Sequence, residues 1–444
     1  MTTAVIYVGV LSEQNRLSTP SAARMFKFIH TADLHIDSPL RGLEAYEGAP
    51  VEQFRAATRV AFENLISLAI EHQVAFVVIA GDLFDGKWQD MKTGLWTAGQ
   101  FRRLDRDRIP VYLLRGNHDA ASKVRPAISW PDNVHEFSVR KPETFLVEAI
   151  GVALHGQGFA QQECNDDLAA TYPIAVDGLF NIGVLHTSLT GSPDHDTYAP
   201  TSEAVLRSKG YDYWALGHIH QRSEPPVSSH PFIGYSGNTQ GRHIREPGPR
   251  GCLLNTVVDG ELETTEFIET DTLRWHLATL DLAEQDDVSD LLAKVRQGIA
   301  ACHLSGAGRF SAIRIVVRGA CAAHRELVHA VRREETLAEI RNLANEFDDE
   351  VWIEKIKLET QSPIDIDQLR AGSDLVAELL RAIDELRDDE TKLVALAEEL
   401  APLATKAAVE LGECEIDLHD PEQLRNWLQQ AEGLLVSQLL EAGA

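Results

Sequence analysis

Short apolar runs recur along the first part of this chain at 26–29, 75–80, 111–114, 152–154, 182–185, 213–216 and 232–235. Each has the length of a buried strand rather than of a helix. Between the first two, Val60, Ala61, Leu65, Leu68 and Ala69 follow a 3.6-residue period and predict a helix over 54–70. A second helix is predicted over 92–104, and Arg102, Arg103, Arg106 and Arg108 read as its solvated end before Pro110. Strands alternating with helices predict a layered α/β domain. From Trp275 the texture changes. Strands over 276–280, 312–317 and 351–358, with helices over 288–301 and 337–347, describe a small α+β unit. Residues 370–444 carry helical periodicity alone. One apolar stripe there runs through Leu375, Val376, Leu379, Leu380, Ile383 and Leu386. A second runs through Leu424, Trp427, Leu428, Ala431, Leu434, Leu435 and Leu439, opened by Asp420 as N-cap and Pro421 in the first turn.

Four segments follow from these changes: an extension at 1–24, an α/β domain at 25–270, the α+β unit at 271–361, and a linker with acidic helices at 362–444. The extension has neither periodicity nor a leader pattern. It is expected to be disordered, or to come from a start placed upstream of Met25, and to be dispensable. No apolar run approaches the roughly 20 residues that span a bilayer. The 5 cysteines are scattered without a CxxC pair, which fits a reducing cytoplasm better than a disulfide framework. A formal charge of −27 argues, taken whole, against a nucleic-acid partner. Its distribution weakens that argument. Residues 251–444 hold 40 acids against 18 bases, whereas 1–250 hold 28 against 23 and carry 12 of the 17 histidines. The two halves do different work.

Most of the early strands run into a polar cluster. Asp33 and His35 follow the first; Asp82 follows the second; Asn117, His118 and Asp119 follow the third; then come His186, and His218 with His220. Loops at the carboxyl ends of strands build the sites of open α/β sheets, so five strand ends are expected to converge. The donors Asp33, His35, Asp82, Asn117, His186, His218 and His220 are nitrogen and oxygen only, which suits Mn²⁺, Fe or Zn²⁺. In an extended chain, residues i and i+2 point to one side, so the DxH and HxH pairs would each reach one centre. Alone, either pair is an ordinary surface feature. Their joint order after strands makes the metal reading the stronger one. Arg242, Arg245 and Arg250, set among glycines after the last site strand, are candidates for phosphate-backbone contact.

The order DxH, GD, GNHD, H, GHxH resembles that of the calcineurin-like metallophosphoesterases. The stretches FIHTADLHIDSPL, VVIAGDLFD, LRGNHD, GVLHTSL and WALGHIHQ are similar to the SbcD family, nuclease subunits of bacterial double-strand-break repair complexes. The stretch from Gly241 to Gly251 is similar to the YhaO branch of these DNA repair exonucleases. The resemblance covers about 25–270 and implies a β-sandwich flanked by helices, with 271–361 as a capping domain. It implies two divalent cations, Mn²⁺ first, with Mg²⁺, Fe or Zn²⁺ as alternatives. Asp33, His35, Asp82 and His220 would hold one; Asp82 would bridge to a second, completed by Asn117, His186 and His218. His118 matches the catalytic histidine, with Asp119 placed to orient its ring. One position departs: where many family nucleases carry a second histidine, this chain has Asp85. The expected activity is exonuclease and endonuclease cleavage of DNA in the cytoplasm, with an SbcC- or YhaN-like coiled-coil ATPase docked on the C-terminal helices and room for a homodimer. The alternative is a phosphodiesterase of nucleotides or small phosphate esters. A scaffold with a dead site is disfavoured because every ligand position is filled.

Overall fold

The computed structural model describes residues 24–38, 50–85, 91–121, 128–189, 198–363, 366–407 and 416–442. Residues 1–23 of the expected extension lie outside the described residues. Two compact units divide the chain, Met1–Leu273 and Arg274–Ala444.

The first unit runs β1 (Met25–Thr31), α1 (Val51–Glu71), β2 (Phe76–Ile79), α2 (Met91–Arg106), β3 (Val111–Leu113), α3 (Asn117–Ala121), β4 (Val134–Glu136), β5 (Glu143–Val147), β6 (Val152–Gly156), β7 (Phe180–His186), α4 (Glu203–Ser208), β8 (Tyr213–Gly217), β9 (Ser228–Ser229), β10 (Phe232–Tyr235), β11 (Gly251–Val258) and β12 (Glu261–Glu269). Two six-stranded sheets form, ordered β12-β11-β1-β2-β3-β4 and β5-β6-β7-β8-β10-β9. Strands β1 to β4 are parallel, as are β6, β7, β8 and β10, while β11 and β12 extend the first sheet antiparallel. Every apolar run predicted as a strand in this unit forms one.

The alternation of β1 shows why the layers stack. Phe26 and Phe28 point into the space between the sheets, packing with Phe76, Phe180 and Tyr213. Ile29 points the other way, onto Leu65 and Ile66 of α1. Phe28 is fully buried between both sheets, and its replacement by alanine would cost about 3–5 kcal/mol. Helix α1 buries Phe54, Ala57, Ala61, Phe62, Leu65, Ile66 and Ala69. Val60, read as part of that stripe, is 37% exposed because the buried arc is centred one position further on. The outer face of the second sheet is covered by Tyr172, Leu206 and Tyr211 around Trp214.

In the second unit, β13 (Leu273–Asp281), β14 (Phe310–Ala320) and β15 (Val351–Gln361) form a three-stranded sheet. Helix α5 (Val288–Gly306), started by a capping box between Asp287 and Asp290, lays Leu291, Val295 and Ile299 on Ile313, Ile315 and Val317. Helices α6 (His324–Leu327) and α7 (Ala330–Leu343) make the crossover between the parallel pair β14 and β15. Then come α8 (Ile366–Arg370), α9 (Leu375–Asp388), α10 (Glu390–Lys406) and α11 (Pro421–Ala442). Parts of the two apolar stripes pack within this unit, while Leu375 and Leu435 stay exposed. Leu380 and Ile383 of α9 are buried, and Leu393 and Ala397 of α10 close on Leu424 and Trp427 of α11. Arg370 and Arg387 both pair with the buried carboxylate of Glu432. These helices therefore cover part of one another's apolar faces.

Candidate metal centre

Five strand ends deliver the expected donors. Asp33 and His35 follow β1, Asp82 follows β2, Asn117 opens α3 after β3, His186 ends β7, and His218 and His220 follow β8. The ring nitrogen Nε2 of His35 lies 3.2 Å from Nε2 of His220 and 3.8 Å from Oδ2 of Asp82. The Nε2 of His186 lies 3.3 Å from the same Asp82 oxygen and 2.9 Å from Oδ1 of Asn117. His218 stands beside His186, ring centres 5.2 Å apart, and its backbone N–H donates to Asp33.

The extended-chain argument for the DxH and HxH pairs is corrected by the backbone. Asp33, His35, Asp82 and His218 have φ of +52°, +43°, +52° and +100°, outside any strand. They converge through left-handed turns just beyond the sheet, a conformation costly for residues with a Cβ and concentrated at functional sites. Close packing holds them there. A Cβ on Gly116 would sit 2.2 Å from Oδ1 of Asp82. Gly116→Ala should therefore displace Asp82 and weaken metal uptake while leaving the two sheets folded. Unchanged Mn²⁺ titration in a natively folded variant would overturn this.

Do these residues fit a metal? Asp33, His35 and His220 present ligand atoms within 4.8 Å of one another, as do Asp33, Asp82 and His186, and also His35, Asp82 and His118. Nitrogen lone pairs and carboxylate oxygens point at shared space. His35 Nδ1 is buried without a hydrogen-bond partner. Burial pushes the Asp33 carboxyl up. It pushes Asp82 up too, but His186 and His118 together more than offset this and hold Asp82 at about 2. Burial opposes charge on His186, yet Asp82 carries it up to about 9. A cluster this crowded with imidazole and carboxylate donors suits divalent cations, and the all-N/O set suits Mn²⁺, Fe or Zn²⁺.

His118 sits at the rim, half-buried, with its ring centre 4.8 Å from that of His35. Its ring Nδ1 faces Asp85 Oδ1 at 3.5 Å, and Ser38 donates to the other oxygen of Asp85 at 2.9 Å. Burial disfavours charge on this ring, but the Asp85 hydrogen bond and the charges of Asp82 and Asp85 outweigh it, so its pKa lies above the usual histidine value. The carboxylate that faces the His118 ring nitrogen is that of Asp85. The Asp119 carboxylate accepts from the backbone N–H groups of Leu83, Phe84 and Gly116, and so ties the two ligand loops together.

The three arginines separate. Arg245 is exposed and lines the cavity. Arg242 is mostly buried against Glu246 and reaches Ser38. Arg250 departs from the expected phosphate contact. It is 4% exposed, and its guanidinium donates to the carbonyls of His220 and Pro247 and to Asn238. If Arg245 meets backbone phosphates, as expected from the sequence, Arg245→Gln should lower the salt slope of DNA binding by about one. Arg250→Gln should instead lose about 2 kcal/mol of stability or more, read by denaturant unfolding. An equal effect of both on the salt slope would contradict this division. Glu246, buried beside His220, escaped the sequence reading; its one signal was an acid within the otherwise basic run 242–250.

Comparison with known proteins follows the same lines. Residues 26–222 match the calcineurin-like phosphoesterase family, and residues 275–361 match the middle domain of metallophosphoesterase YhaO. The chain is 36% identical over 295 residues to the metallophosphoesterase YhaO of Bacillus subtilis (strain 168), covering 66% of this chain and 71% of that one. It is 26% identical over 302 residues to the DNA double-strand break repair protein Mre11 of Methanopyrus kandleri, covering 61% and 63%. Among solved structures, a dimetal phosphatase from Danio rerio matches with a TM-score of 0.33 at 13% identity, covering 55% of this chain and 99% of that one. The Pseudomonas putida nuclease MPE matches with a TM-score of 0.19 at 18% identity, covering 34% and 57%. With its relative in Bacillus subtilis and the strand-end donors above, this chain belongs to the calcineurin-like metallophosphoesterases, hydrolases of phosphodiester bonds.

Proposed function

We propose that this chain is a two-metal DNA nuclease of double-strand-break repair, using Mn²⁺ and working with an SbcC- or YhaN-like coiled-coil ATPase. One observation carries the reading. The donor sets Asp33–His35–His220 and Asp33–Asp82–His186 lie at an open cavity of 630 Å³ whose lining includes Asp82, Asn117, His218 and His220 together with His118 and Arg245. Asp33, His35, Asp82 and His220 would hold one cation; Asp82, Asn117, His186 and His218 the other. Bound divalent cations supply Lewis acidity toward water and phosphoryl oxygens. The residues supply the rest. His118, whose protonated form Asp85 favours, would deliver a proton to the leaving oxygen. Arg245 and His243 offer positive or hydrogen-bonding contacts to the flanking backbone phosphates. Similarity to a relative named a DNA double-strand break repair protein supports a DNA substrate over a small ester. The acidic helical module supports a basic partner through charge steering, with the helices engaged as a unit.

The test is a parallel assay of purified protein with Mn²⁺ on linear double-stranded DNA and on an aryl phosphodiester. Preferential cleavage of DNA is expected. Turnover of the aryl ester with DNA left intact would favour the small-substrate alternative. Removing 365–444 should abolish co-purification with the ATPase and spare cleavage of short DNA.

A further inference from the structure

We propose that Glu246 is a positioning residue for the metal centre, gripping His220 so that its Nε2 faces Asp33 and His35. This inference rests on the two-metal reading and adds to it a dependence of one metal position on the loop 238–250. The carboxylate is 4% exposed, and its two oxygens are divided between two tasks. Oε2 closes the loop on itself, accepting from Asn238 Nδ2 at 3.0 Å and from the backbone N–H of Arg242 at 2.8 Å. Oε1 leaves the loop and meets His220 Nδ1 at 2.7 Å. Arg242 Nη2 lies 3.2 Å from that same ring nitrogen and 3.2 Å from Oε1.

The crowding around Nδ1 decides where its proton lies. A guanidinium only donates, so a bond from Arg242 would need a lone pair on Nδ1. That lone pair would then face a carboxylate oxygen at 2.7 Å, an uncompensated repulsion in a buried place. An N–H on Nδ1 donating to Oε1 removes the conflict, and Arg242 then pairs with the carboxylate. The lone pair left on the ring is at Nε2, 3.2 Å from His35 Nε2 and 4.0 Å from Asp33 Oδ1. Carboxylate partners of this sort fix the tautomer and orientation of metal-ligating histidines. Arg250, donating to the His220 carbonyl, anchors the backbone of the same residue.

Mn²⁺ titration by calorimetry on full-length protein tests the assignment, with Glu246→Ala, Glu246→Gln, His220→Ala and the His220/Glu246 double alanine variant. The unaltered protein should take up two ions. His220→Ala should lose one. Glu246→Ala should weaken that same ion by about 10–100-fold and leave the other unchanged. Glu246→Gln should lose less, because its amide oxygen still accepts from Nδ1. The double variant should bind its remaining ion as His220→Ala does. Two ions bound normally by Glu246→Ala would overturn the proposal. So would equal weakening of both ions, or loss of fold in both Glu246 variants, since each marks a simple loop anchor. If the unaltered protein takes up no Mn²⁺, the two-metal reading itself falls.

Discussion

Asp82→Asn is expected to release both metal ions and to abolish hydrolysis, a loss beyond the 10²–10⁴-fold typical of a missing general acid. The position concentrates three tasks in one carboxylate. Its Oδ2 faces both His186 and His35, at 3.3 Å and 3.8 Å, so it lies between the two donor sets. Its Oδ1 accepts from the backbone N–H of His118 at 2.9 Å and so places the start of α3. An amide removes the negative charge and turns one oxygen into a donor facing imidazoles. Elemental analysis and a DNA cleavage assay on the variant decide it. Retention of a full metal equivalent would contradict a shared ligand.

His118→Ala should behave in the opposite way. Both ions should stay, because the seven donors expected to hold them are untouched, while the chemical step slows by about 10²–10⁴-fold. Asp85→Asn should slow it less, since the ring remains but loses the carboxylate that favours its protonated form. A metal equivalent lost from His118→Ala would move this residue from the rim into the ligand set. Its third-set proximity to His35 and Asp82 makes that a real contrast to measure.

Much of this was legible in the residues alone. The strand-ending clusters named the donors because apolar runs announce buried strands and polar residues at their ends have nowhere else to converge. What escaped came from backbone conformation and from partners distant in sequence. Nothing in a DxH pair tells a strand from two left-handed turns, and only the φ values of Asp33 and His35 distinguish them. The grip of Glu246 on His220 spans 26 residues of sequence and depends on how the loop folds back. Arg250 looked like its neighbours, yet burial gave it a different task. The hairpin of β11 and β12 was passed over although Asp259-Gly260, at φ of +50° and +85°, is the dipeptide that such tight turns require. The packing within the tail was not legible either: amphipathic stripes look alike whether they await a partner or one another.

The meeting of Arg370, Arg387 and Glu432 bears on how the chain can be shortened. A stop placed before Pro421 would take away the acid that both guanidiniums share and uncover Leu393 and Ala397. What remained would be a frayed remnant open to proteases and to self-association, and its silence toward a partner would report collapse. The four helices stand or fall together. Mapping what they touch therefore calls for removing all of them at once, or for changing exposed single positions such as Leu375 and Val394 while the remainder stays intact.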